Sequence, residues 1–165
     1  MGTLPAGPYR TNFFVPQLIL TLPDGWSQFF PDEDDEIYMH DANAELAISR
    51  PAKVRDPVTR EAVDAPEDLM AWLVANPDLN VTEDPTEIDG DMPGSWIEPA
   101  PTRSVNVYAF PGGDFRFVPG ERQRAFVIPL DGPDLAVTIM APEGGNLAEA
   151  LDSALTIVES IQIEP

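Results

Sequence analysis

The sequence contains no cysteine among its 165 residues. This absence excludes disulfide bonds, thiolate metal sites, iron–sulfur clusters and cysteine nucleophiles together. Histidine is almost as scarce, since His40 is the only one, and a site built from several histidines is therefore excluded. No serine lies in a G-x-S-x-G context, and no glycines have dinucleotide-binding or Walker spacing. The sequence thus predicts no catalytic residue, no resident cofactor and a protein that is not an enzyme.

Basic side chains are also few. Lys53 is the single lysine, and the chain has 9 basic residues against 29 acidic ones, which gives a net charge of −20. Phosphate backbones and anionic lipid surfaces repel such a chain, so the sequence predicts that neither nucleic acid nor an anionic membrane surface is a partner. The acidity is otherwise typical of a surface that keeps a protein soluble and separate from its neighbours.

Long apolar runs are missing as well. The longest, Phe13 to Leu22, is interrupted by Pro16 and Gln17 and is shorter than the ~20 residues that a membrane helix needs. We therefore expect no transmembrane segment. Residues 1–8 have neither the basic region nor the apolar core of a signal peptide, and we expect a disordered segment or an expression remnant there. An extracytoplasmic or secreted protein whose leader has been removed is favoured, with a cytoplasmic location left open.

What the sequence does contain is enough apolar material for a core. Apolar residues make up 43% of the chain, and a chain of this length fits one domain, expected over residues 9–165. Nineteen prolines and eleven glycines divide it into short pieces that are typical of strands joined by turns. The predicted strands cover residues 18–22, 37–40, 46–49, 96–98, 104–110, 114–118, 124–130 and 135–140.

Two stretches predict helices instead. A helix over 64–76 follows from a capping box between Asp64 and Glu67, and a helix over 147–160 follows from a second capping box that begins at Asn146. Apolar residues recur at helical spacing in both. Strands, helix, strands and helix in this order predict an α+β fold, in which a mainly antiparallel sheet packs with two main helices.

The chain also resembles a family of bacterial domains. The residues that carry the resemblance are Leu22-Pro23-Asp24-Gly25-Trp26 near the start, Trp72-Leu73 with Asn76-Pro77 in the middle, and Leu135 to Ile139 followed by Ile157 to Ile161 in the tail. They resemble uncharacterised secreted or lipid-anchored actinobacterial domains and, more broadly, the PsbP/Mog1-like α/β sandwiches. The resemblance implies an accessory subunit, assembly factor or lipoprotein ectodomain. Asp89-Gly90 stands where two glycines are expected, and no site residues carry over.

The densest charge cluster is the acidic run from Asp32 to Glu36. Calcium takes six to eight oxygen ligands, so clustered carboxylates can form a site, although the run lacks the glycine and the distal glutamate of an EF-hand loop. The candidate ligands are Asp32, Asp34, Asp35 and Glu36. A solvated loop between two strands is the alternative. A Ca²⁺-dependent binder or hydrolase that uses this loop is the second functional hypothesis.

The first hypothesis is a non-enzymatic accessory or binding domain. It binds a protein partner or a small ligand through one face of its sheet, as a monomer or a weak homodimer. Trp26, Trp96 and His40 are the candidate interaction residues, since each lies beside a predicted turn or in a short strand. Core packing of the two tryptophans, and a surface pairing of His40 with Asp41, are the alternatives.

Overall fold

The computed structural model describes residues 3–12, 14–28, 35–88 and 93–164, and these contain fourteen strands and two helices. In chain order they are β1 (Gly7–Arg10), β2 (Leu18–Leu22), β3 (Ser27–Gln28), β4 (Glu36–His40), β5 (Glu45–Ser49), β6 (Lys53–Arg55), β7 (Ala62–Asp64), α1 (Leu69–Ala75), β8 (Thr86–Glu87), β9 (Ser95–Ile97), β10 (Val105–Phe110), β11 (Gly113–Phe117), β12 (Gln123–Ile128), β13 (Leu135–Met140), α2 (Leu147–Glu159) and β14 (Gln162–Ile163).

The predicted α+β class is wrong, because the protein is mainly β and only 13% of the described residues are in helices. The helix expected at 64–76 is reduced to the seven residues of α1. Asp64 pairs with Lys53 as the last residue of β7 and so cannot begin a helix. Asp68 caps α1 instead, since its carboxylate accepts a hydrogen bond from the backbone N–H of Ala71 at 2.8 Å. The second predicted helix is present as α2.

The described residues divide into two compact units, and the first comprises Met1–Ser49 and Val137–Pro165. It contains an antiparallel sheet in the order β1-β2-β14 and the neighbouring strands β3-β4-β5-β13. Strand β2 alternates, with three leucines buried and Ile19 and Thr21 turned outward. Residues 3–8, for which disorder was expected, take part in this unit: Gly7 and Pro8 belong to β1, and the Leu4 N–H donates to the Trp26 carbonyl at 2.8 Å.

Helix α2 covers strand β2 within the first unit. The Asn146 side chain caps its N-terminus by accepting a hydrogen bond from the Glu149 N–H at 2.9 Å. One face of the helix is buried and consists of small and branched apolar side chains: Ala150, Leu151, Ala154, Ile157 and Val158. At its C-terminus the Ser160 hydroxyl accepts a hydrogen bond from the Thr21 N–H at 2.7 Å, which ties the helix end to β2.

The second unit, Arg50–Ala136, is organised around an antiparallel sheet in the order β11-β10-β6-β7. Its buried face carries Val54, Tyr108, Phe115 and Phe117. The rings of Tyr108 and Phe115 stack with centroids 5.5 Å apart, and Phe115 meets Phe117 edge to face at 5.4 Å. The exposed or half-buried residues Asn106, Asp114 and Arg116 alternate with buried ones, and the side of the sheet that they define is called the open face here. Strand β7 lies at one end of this order, and all three of its residues are exposed.

Three further strands of the second unit run in the order β12-β9-β8. Gly94 precedes β9 with a φ of +140°. A Cβ atom at this position would lie 2.4 Å from the Val127 carbonyl oxygen and 3.0 Å from the Ile88 side chain. Only glycine combines that backbone conformation with so close an approach of two strands.

Candidate functional site

The open face of the four-stranded sheet in the second unit contains a pocket of about 330 Å³. Strands β6, β10 and β11 and the segments that flank them supply its walls. Its lining residues are Arg55, Arg60, Arg103, Ser104, Val105, Asn106 and Asp114. Three of the nine basic residues in the chain therefore meet in one pocket of a protein whose net charge is −20.

Arg60 reaches the pocket from the turn between β6 and β7. The carboxylate of Asp56 stabilises that turn by accepting hydrogen bonds from the backbone N–H groups of Thr59 and Val58, which lower the pKa of Asp56. The Arg60 N–H in turn donates to the Asp56 carbonyl at 2.9 Å. Arg60 itself has a φ of +66°, a left-handed conformation that costs a side-chain-bearing residue about 1 kcal/mol or more. The chain thus places an arginine where glycine would be the unstrained residue.

Asp78 joins Arg60 to Arg103. One carboxylate oxygen accepts from Arg60 at 2.6 Å, and the other accepts from Arg103 at 2.7 Å. The side chain of Asp78 is only 15% exposed, whereas those of Arg60 and Arg103 are 46% and 59% exposed. Hydrogen bonds from Arg103 and then from Arg60 hold the pKa of Asp78 below its usual value. Asp78 therefore remains charged near neutral pH and holds two mutually repelling guanidinium groups together.

The loop after α1 positions Asp78 without help from the arginines. The Asp78 N–H donates to the side-chain oxygen of Asn76 at 3.1 Å, and Asn76 is itself buried. The next residue, Leu79, donates to the Asn76 carbonyl and accepts from the Ala100 N–H at 2.9 Å. The carboxylate is therefore supported by a loop that is hydrogen-bonded on both sides.

Arg55 and Asp114 form a second cluster on the pocket wall. The Nε and Nη2 atoms of Arg55 bind the two carboxylate oxygens of Asp114 at 3.0 and 2.8 Å, a bidentate pair. The Asn106 amide donates to the same carboxylate at 2.8 Å. The hydrogen bond to Asp114 raises the pKa of Arg55. The remaining Nη of Arg55 lies 3.4 Å from the Arg60 carbonyl oxygen, so the two clusters adjoin.

The charges of the two clusters do not cancel. Three guanidinium groups face two carboxylates, which leaves one net positive charge. Each guanidinium has five N–H donors, and Asp78 occupies one donor nitrogen of Arg60 and one of Arg103. The unused donors can bind an oxyanion, because the planar fork of arginine matches a carboxylate or a phosphate. The arrangement is therefore suited to holding a small anion.

The acidic run that was expected to bind Ca²⁺ is only partly within the described residues. Asp32 and Asp34 lie outside them, Asp35 is half-buried, and Glu36 is the first residue of β4. Burial and then the charge and hydrogen bond of Glu36 raise the pKa of Tyr38, so this carboxylate faces a phenol. In the ranges that the structure covers, no group of three or more acidic or histidine side chains has metal-site geometry. The calcium hypothesis stays a prediction.

The three predicted interaction residues do not come together. Trp26 is completely buried in the first unit, so it belongs to the core. His40 is half-buried at the end of β4 in the same unit, in register with Ser27 and Glu45.

Trp96 belongs to the second unit, where it lies in β9 and is half-buried. The Arg124 guanidinium covers its indole ring at 3.6 Å from the centroid and also binds Glu98. The Arg124 side chain therefore covers one face of the Trp96 indole ring.

The pocket residues were missed by the sequence analysis, although one signal for them exists. Four of the nine basic residues fall between positions 50 and 60, in a chain that is otherwise acidic. Two of these four, Arg55 and Arg60, line the pocket, so the local excess of basic residues was the one sequence signal for it. Arg103, Asp78 and Asp114 carry no comparable signal, since only the fold brings them to Arg55 and Arg60.

Comparisons with known proteins assign no family to the chain. No family model matches the sequence, and no curated protein matches it. A solved structure from Bacteroides thetaiotaomicron VPI-5482 is similar at a TM-score of 0.49 and 10% identity, over 90% of this chain and 45% of that one. The chain thus spans less than half the length of that protein, and the likeness transfers neither fold nor function.

The resemblance to actinobacterial and PsbP/Mog1-like domains stays a prediction after these comparisons. Within the described residues, neither helix has the length and apolar character required to cross a membrane. The comparisons assign no catalytic activity.

Proposed function

We propose that this protein is a non-enzymatic binding protein that holds a small carboxylate in the pocket on the open face of its four-stranded sheet. The observation that carries the proposal is the meeting of Arg55, Arg60 and Arg103 in one pocket of a strongly acidic chain. A volume of about 330 Å³ lies at the lower end of the range for small-molecule sites, which suits a ligand of a few heavy atoms.

The charge of the pocket favours a monoanion. The two clusters leave one net positive charge, and the Asp56 carboxylate, whose pKa Arg60 helps to lower, adds a negative charge nearby. A singly charged carboxylate is therefore favoured over a phosphate dianion in this −20 protein. Asp78 supports the same ligand class, because its own carboxylate already bridges Arg60 and Arg103 at short distances. The same two guanidinium groups line the pocket and keep unused donors that can bind a second carboxylate.

The test is calorimetric titration at pH 7 and low salt with propionate, L-lactate, L-alanine and succinate, each measured separately. Inorganic phosphate is the tetrahedral alternative. The variant is Arg103→Gln, and the matched control is Arg122→Gln, which removes the same charge from an exposed arginine outside the pocket lining. A hydrogen bond to a charged group contributes about 1.5–3 kcal/mol, so we expect Arg103→Gln to weaken carboxylate binding roughly 10- to 100-fold.

The control should weaken binding by less than about threefold, because a distant exposed charge acts only through a screened field. Equal losses in the two variants would show that general charge, not the pocket, attracts the anion. Absence of carboxylate binding to the unaltered protein would refute the proposal. Tighter binding of phosphate than of any carboxylate would replace the ligand class.

A further inference from the structure

Asp114 is an acidic group in a pocket otherwise suited to anions. Its side chain is only 16% exposed, and its carboxylate lies among the pocket-lining residues. A carboxylate offers about four acceptor positions, two on each oxygen. Within the described residues Oδ2 accepts from Arg55 and Asn106, whereas Oδ1 accepts from Arg55 alone. One acceptor position on Oδ1 is therefore available beside the arginines.

The surroundings of Asp114 hold this acceptor in place. The bidentate pair with Arg55 and the hydrogen bond from Asn106 fix the carboxylate plane. Arg55 also contacts the backbone carbonyl of Arg60, so the Asp114 cluster is held next to the residue that presents the first anion-binding guanidinium. A ligand in the pocket therefore meets guanidinium donors and, next to them, a pre-oriented acceptor.

We infer that the ligand is a small carboxylate that also carries a hydrogen-bond donor, either a hydroxyl or an ammonium group. This inference rests on the proposed function. The ligand carboxylate binds Arg60 and Arg103, and its donor group binds Oδ1 of Asp114. An unfilled acceptor facing a desolvated ligand is costly, so an acid without a donor binds less well. A hydroxyl and an ammonium group would bind the same oxygen of Asp114. The ammonium group is also attracted by the negative charge of Asp114, whereas the hydroxyl group is neutral.

Three acids with the same carbon skeleton separate these possibilities. Propionate has no donor, L-lactate has a hydroxyl, and L-alanine has an ammonium group. We expect at least one of the last two to bind the unaltered protein roughly tenfold or more tightly than propionate. Preference for L-alanine identifies the ammonium ligand, and preference for L-lactate identifies the hydroxyl ligand.

Two variants test the assignment to Asp114. Asp114→Asn should reduce the preference over propionate to about threefold or less. Arg55→Met removes the guanidinium that orients this carboxylate and retains an unbranched side chain, so it should also reduce the preference. If Asp114→Asn does not fold, the loss of preference in Arg55→Met still decides.

The outcomes distinguish this inference from the proposed function. Equal binding of the three acids overturns the inference and leaves the carboxylate-binding function in place. A preference that survives both Asp114→Asn and Arg55→Met also overturns it. Absence of binding by all three acids, together with succinate, overturns both.

Discussion

Replacement of Arg60 by glycine should separate its role in binding from its role in the fold. The left-handed backbone of Arg60 costs about 1–2 kcal/mol for a residue with a Cβ, and glycine removes that strain. The lost ion pair with Asp78 involves a side chain that is 46% exposed, and such pairs contribute about 0.2–1 kcal/mol. The free energy of unfolding of Arg60→Gly should therefore be unchanged or higher by up to about 2 kcal/mol.

The matched variant is Arg60→Ala, which loses the same guanidinium but keeps the strain. We expect it to be less stable than the original protein by about 0.2–1 kcal/mol, and less stable than Arg60→Gly by about 1 kcal/mol. Urea denaturation followed by circular dichroism measures both differences. For a chain of this size 1 kcal/mol also corresponds to a shift of roughly 2–4 °C in melting temperature. Both variants should bind carboxylates about tenfold more weakly.

Two results would refute this reasoning. If Arg60→Gly were less stable than Arg60→Ala, the left-handed conformation would not be a source of strain. If Arg60→Gly bound L-lactate and L-alanine as tightly as the original protein does, Arg60 would not contact the ligand. The combination of retained stability and lost binding is the result that only a binding role produces.

Three further predictions concern other parts of the molecule. The pKa of Asp78 is lowered in the folded protein, so its contribution to stability is present above its unfolded pKa of about 3.9 and is lost as pH falls through its folded pKa. The stability difference between the original protein and Asp78→Asn should thus be constant from pH 7 to about 5 and should shrink below about 4 in urea denaturation. Asn146→Ala should lower the unfolding free energy by about 1 kcal/mol, since it removes the cap of α2; an unchanged urea midpoint would show that the cap contributes nothing. The calcium hypothesis predicts that millimolar Ca²⁺ raises the melting temperature and that chelation reverses the rise, and an unchanged melting curve would refute it.

The parts of the fold that follow local rules could be predicted from the sequence. Helix α2 begins at Leu147, where the capping box at Asn146 indicated, because its cap and its apolar face lie within fourteen consecutive residues. Strand β2 could also be predicted locally, because its buried leucines alternate with less buried residues. Such elements need no information about distant residues.

The segment from residue 53 to 68 shows where local rules fail. Strand β6 has one buried residue, Val54, and β7 has none, so neither gives an apolar pattern. Strand β6 exists because Val54 pairs across to Tyr108, more than fifty residues away. That long-range pairing extends through β7 to Asp64 and displaces the helix start to Leu69. The fold class was wrong mainly because strands of this kind have no local signature.

The pocket could not be predicted from the sequence for the same reason, because residues that are distant in the chain form it. Arg55 and Asp114 are 59 positions apart, and Arg60 and Asp78 are 18 apart. Apart from the basic residues between positions 50 and 60, nothing in the local sequence marks these residues as a site. Their chemistry arises only after the sheet order places β6 between β7 and β10.

The exposed strand β7 has a consequence for how the protein behaves in concentrated solution. In the described part of the chain, β7 ends the four-stranded sheet, so its outer backbone groups can align with a strand of another molecule. Near neutral pH a net charge of −20 on every copy opposes that approach. The calculated isoelectric point is about 4.1, where this repulsion vanishes. We therefore expect the protein to precipitate reversibly close to pH 4 and to redissolve as the pH is raised, because charge repulsion then again keeps the β7 strands of different molecules apart.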